Sequence, residues 1–144
     1  MARSPSRLAA APTLGTPWVA PAAVAAGALA GCAVLVAADP GVPGRYGVCP
    51  FLAVTGRWCP LCGSLRAVHH LLTGAPTAAL SSNALTVLAL PVVVFLWAAW
   101  LGSRTGRWRL PTPTWTPDRV GIAATVVVLF GVVRNMSAFG VLAP

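Results

Sequence analysis

Three cysteines, Cys49, Cys59 and Cys62, fall within 14 residues of a chain that contains only four. His69 and His70 follow shortly after. Cys59-Pro60-Leu61-Cys62 is a C-x2-C knuckle, a spacing that lets two thiolates share one tetrahedral ion. Cys49 offers a third thiolate and His69 or His70 a fourth ligand. The set Cys49, Cys59, Cys62 and His69 is therefore a candidate zinc site. Pro60 and Gly63 suit the tight turn such a knuckle needs.

The same residues admit two other chemistries. A disulfide from Cys49 to Cys59 or Cys62 would close a loop of about a dozen residues, stabilising by roughly 3 kcal/mol through chain entropy. It would leave one thiol over. Thiol redox is the third reading, because a nearby cation (Arg66) and a helix starting at Ser64 would favour the thiolate. Hydrolysis has almost no candidates: the chain has two Asp and no Glu, so general acid–base pairs are scarce. No phosphate-cradling loop or dinucleotide fingerprint is present.

The elements that must hold these cysteines are apolar. Hydrophobic residues make up 57% of the 144-residue chain and charged residues only 8%, against about 25% charged in soluble domains. Mean hydropathy is +0.78. These values exclude an ordinary soluble domain. The net charge of +8 comes from arginine without lysine. The arginines lie between apolar runs and form no basic face, so the charge reads as membrane-flanking and nucleic-acid binding is excluded.

The fold class expected is an all-α integral membrane protein with three transmembrane helices. A bilayer span needs about 20 apolar residues. Spans are expected at about 18–38, 84–102 and 120–140, after a polar tail over 1–17. The 18–142 stretch forms one membrane domain, with the cysteine loop and a short helix within 39–82. Pro76 is a possible earlier start for the second span, and Pro91 predicts a kink in it. Arginine bias puts the N-terminus in the cytoplasm and the cysteine loop outside, in a multi-pass membrane protein. A competing reading takes Leu29-Ala30-Gly31-Cys32 as a lipobox, with Cys32 lipidated and the first span removed.

After the cysteines, Ser64 is expected as an N-cap and Gly74 as a C-terminal stop of the short helix. Leu65, Val68, Leu71 and Leu72 share one face, which suits an interfacial helix or one packed on the spans. The string C-P-x4-T-G-x2-C-P-x-C-G-x2-R-A over residues 49–67 resembles the signature of a bacterial membrane family, domain of unknown function 2752. The resemblance extends over about 49–136. It includes the histidine-bearing helix, an Asn before the next span (Asn83) and an Arg-Asn pair in the last (Arg134-Asn135). Leu65 departs from it, where Thr is common. The family has no established activity, so the resemblance implies a membrane fold and no reaction.

The remaining polar residues have structural expectations. Arg134 either snorkels to the interface or pairs with Asp39 across the outer ends of two spans. Asn83 and Asn135 would hydrogen-bond across helices, or Asn83 would cap the second span. Gly27 and Gly31 form a G-x3-G spacing that would support helix contact. Together these features indicate a non-enzymatic subunit or scaffold with a structural Cys/His loop. Its partners would be the lipid bilayer and a second copy or another membrane protein. The alternative is a thiol-redox or zinc-binding membrane protein.

Overall fold

A computed structural model of the chain describes residues 16–107, 114 and 116–136. Among these residues every regular element is helical: α1 (Val19–Ala37), α2 (Pro50–Thr55), α3 (Ser64–Leu72), α4 (Pro76–Thr105) and α5 (Pro117–Val133).

Two helices, α1 and α4, are long and apolar enough to cross a membrane. The 19 residues of α1 rise about 28 Å, close to the ~30 Å of a hydrocarbon core. Its apolar side chains face away from the rest of the chain, as do those of α4 and α5: Leu29 is 69% exposed, Leu88 68% and Ile122 65%. Water would penalise such surfaces by about 25 cal/mol for each Å² left uncovered. The third apolar run gives α5, of 17 residues. At about 25 Å it falls a few residues short of a span. Its helix stops at Val133, with Arg134 at the C-cap and Asn135 just beyond, so the pair lies past the helix end rather than inside it. The expected continuation toward residue 140 lies outside the described residues.

The expected second span is the greater part of a longer helix. Helix α4 starts with Pro76 in its first turn and is interrupted at Asn83, where φ is −164° and ψ is 95°. Those are extended dihedrals, suited to an N-cap. Pro91 lies within continuous helix, so the break falls at Asn83 and not at the proline. A proline costs a helix one backbone bond, which neighbouring groups in a membrane protein can offset. An asparagine whose amide bonds elsewhere can stop the ladder outright.

Helix α3 is packed on α4 and, less extensively, on α1. Buried residues there are small, with Ala67 and Ala79 fully covered, which lets backbones approach closely. Trp97 Nε1 of α4 donates to Pro21 O of α1 at 3.1 Å. The N-cap of α3 is Gly63, in the left-handed region at φ 81°, and not Ser64. Ser64 Oγ instead donates to Leu61 O at 2.7 Å and lies 2.7 Å from Thr86 Oγ1. The helix ends in a Schellman pattern: Ala75 N–H bonds His70 O and Gly74 N–H bonds Leu71 O, with Gly74 at φ 79°. Helix α5 touches the other helices little. It is joined to the molecule through the cysteine loop.

Candidate metal centre

Each cysteine is set by a local turn. Cys49 is the N-cap of α2, whose first turn opens with Pro50 and whose end is a left-handed Gly56. Cys59 and Cys62 face each other across a tight turn closed by Cys62 N–H to Cys59 O at 3.1 Å. The three sulfurs lie within 4.8 Å of one another. Cys49 Sγ is 3.5 Å from Cys59 Sγ, which is 2.8 Å from Cys62 Sγ. Thiolates on one tetrahedral zinc, at about 2.3 Å from the metal, stand about 3.8 Å apart. Both separations are shorter than that, so the sulfurs would spread by up to about 1 Å to take the ion. All four cysteines are free thiols, and Cys32 stands apart on α1, which runs unbroken through it.

The electrostatics of the three thiols differ. Backbone amides at the start of α2, Leu52 foremost, and then the Cys62 side chain pull Cys49 down to about 7. The amides act by direction, since no full side-chain cap bond forms. Burial, followed by the neighbouring Cys59, pushes Cys62 up to about 12. Three thiolates this close would repel one another. A divalent cation removes that conflict and keeps all three deprotonated.

Arg134, Asn83 and Asn135 hold the turn by its backbone. Arg134 is 1% exposed. Its Nη1 donates to Cys59 O at 3.1 Å, Cys62 O at 3.0 Å and Pro60 O at 3.4 Å. Its charge acts on the Cys59 and Cys62 sulfurs, and its guanidinium lies over the Phe130 ring at 5.3 Å. Among the described residues, Arg134 Nε and Nη2 have no hydrogen-bond partner. Asn83 is fully buried and donates from Nδ2 to Pro60 O at 2.9 Å and Cys62 O at 3.0 Å. Its Oδ1 accepts from Thr86 N–H at 3.0 Å. Asn83 thus caps the second segment of α4 through Oδ1, while its Nδ2 reaches carbonyls of the cysteine loop rather than Asn135. Asn135 pairs with the Trp58 backbone in both senses, accepting from its N–H at 2.9 Å and donating to its carbonyl at 2.8 Å.

The other expected site residues go elsewhere. The ion pair expected between Asp39 and Arg134 is not formed. Asp39 accepts from Gly41 N–H at 2.6 Å and lies 3.7 Å from His69 Nε2, while Arg134 is turned inward onto carbonyls. The Gly41 amide, ahead of the more distant His69, holds the Asp39 carboxyl below its usual range. His69 does not join the three sulfurs. Its Nδ1 is 2.8 Å from Leu35 O; a carbonyl only accepts, so Nδ1 carries the proton. That bond satisfies an orphan carbonyl at the end of α1, as does Tyr46 OH on Ala38 O at 2.8 Å. Arg66, half-buried on α3, has a buried Nε without a partner among the described residues.

Sequence reasoning missed Gly131 and Trp58. A Cβ at Gly131 would stand 2.8 Å from Pro60 Cγ, so the glycine is what lets α5 lie on the knuckle. Its signal was a lone glycine in a Val-rich helix. Trp58 takes part through its backbone, which no side-chain pattern announces.

These contacts define a cluster of three thiols whose backbone is gripped by α4 and the end of α5. The family model described as "Protein of unknown function (DUF2752)" matches residues 49–97, so the chain resembles that family across the three cysteines, α2, α3 and most of α4. Arg134 and Asn135 lie beyond the matched stretch. No curated protein and no solved structure matches the chain.

Proposed function

We propose that this chain is a non-enzymatic, three-span protein of the bacterial plasma membrane whose outward cysteine loop is a zinc clip. In this reading α5 is the third span. The loop serves as a rigid knob for a membrane-protein partner or a second copy. The observation that carries the metal reading is the convergence of three sulfurs within 4.8 Å beside a buried guanidinium. Three thiolates with one dication leave one negative charge, which Arg134 offsets.

The test is metal analysis and thiol counting on protein purified without chelator. Stoichiometric zinc, with the three loop thiols reacting only after chelation, is the expected result. A metal-free protein with a loop disulfide would sink the zinc clip.

A thiol-redox reading draws on the 2.8 Å approach of Cys59 and Cys62 sulfurs. Oxidation of that pair forms one disulfide and releases two protons and two electrons, which a quinone would take up to become a quinol. A loop disulfide that reduces and re-forms with added quinone would favour it.

A further inference from the structure

We propose that the ion held by Cys49, Cys59 and Cys62 keeps one coordination position for a ligand from outside the chain, and that this ligand is a small thiol. The inference rests on the zinc reading above and extends it to what the site binds.

The first support is an inventory. The chain has four Cys, two His, two Asp and no Glu, and all eight lie among the described residues. Cys32 is in the middle of α1. His69 bonds Leu35 O through Nδ1, and its free Nε2 lies 3.7 Å from Asp39 rather than with the sulfurs; its ring meets that of His70 edge-on at 5.7 Å. Asp39 bonds Gly41, and Asp118 sits in the first turn of α5, the end opposite Arg134. Only the three sulfurs converge. Zinc with four protein ligands is closed; with three it retains an exchangeable position.

The second support is space. A cleft of about 430 Å³ opens beside the sulfurs, lined by Cys49, Cys62, Tyr46, Leu61 and Arg66 among others. That is within the range of small-molecule sites.

The third is charge. Three thiolates, a dication and a further thiolate carry two negative charges in all. Two guanidiniums are at hand, Arg134 beside Cys59 and Cys62 and Arg66 in the cleft. Both have buried N–H groups with no partner among the described residues. A neutral ligand would leave one of these cations uncompensated. A carboxylate would match the charge but suits a thiolate-bound, borderline-soft ion less well than sulfur does.

The experiment uses the full chain in detergent, loaded with Co²⁺ in place of zinc. A sulfur-to-cobalt charge-transfer band reports the site itself, and its absence would overturn the zinc reading rather than the ligand. With the band present, 2-mercaptoethanol, acetate and imidazole are titrated separately. We expect the thiol alone to strengthen the band saturably. Arg66→Gln should raise the half-saturating thiol concentration about tenfold with cobalt loading unchanged, and Arg66→Lys should recover part of the loss. A band that ignores or is abolished by the thiol, or that responds equally to acetate or imidazole, overturns the proposal.

Discussion

The carboxamide of Asn83 separates its two ends, with the oxygen on Thr86 N–H and the nitrogen on the Pro60 and Cys62 carbonyls. Asn83→Asp keeps the better cap acceptor but sets a carboxylate against two carbonyl oxygens. It should destabilise at least as much as Asn83→Ala, by about 2–3 kcal/mol, in thermal unfolding in micelles. A mild Asp variant would mean that Asn83 is a cap only. Arg134→Lys should recover part of the stability that Arg134→Gln loses, because Nη1 alone reaches all three carbonyls and an ammonium also offers three donors, while the contact over Phe130 is lost. Cys49 gives a pH test in metal-free protein. With its thiol held near 7, the thiolate fraction rises as pH rises through that value. Alkylation mapped by peptide mass should therefore climb at Cys49 between about pH 6 and 8. Cys62, pushed up to about 12, should stay unmodified over the same range. Equal labelling of the two would contradict the asymmetry.

Helix α5 depends on one missing side chain. Gly131→Ala sets a methyl 2.8 Å from Pro60 Cγ, and should lower stability by about 1–3 kcal/mol through overpacking. Gly27→Ala meets nothing within 4 Å and should be close to neutral in a monomer. A Gly27 variant that weakens self-association would assign the G-x3-G spacing to a second copy. The uncharged runs that give α1 and the main part of α4 are local signals, readable from composition. Helix α2 was not expected from the sequence, because six residues are too few for periodicity. Ser64 against Gly63 as the α3 cap was decided by a distant partner, since Ser64 turns to Thr86. The knuckle of Cys59 and Cys62 was legible from spacing. What grips it was not: Arg134 and Asn135 reach backbone groups 72 to 77 residues away, and a carbonyl has no letter in the sequence.

On the scale of the whole molecule, the exposed apolar faces and the cysteine loop belong to different surroundings. The loop carries the polar wiring, and the helices present almost unbroken apolar surface. The proposed outward orientation of the loop is tested with a membrane-impermeant maleimide on intact cells. Val48→Cys, at a position 71% exposed, should label directly. Ser103→Cys, near the end of α4, should label only after permeabilisation. The opposite pattern would invert the topology drawn from arginine bias.

The grip on the knuckle also has an order in time. Asn83, which bonds Cys62 O, is made 21 residues after it, but Arg134, which bonds the same carbonyl, comes 72 residues later. At roughly 5–20 residues per second, the ribosome leaves the turn held by Asn83 alone, without its arginine, for several seconds. If the proposed site takes an ion, it has that window before Arg134 completes the grip.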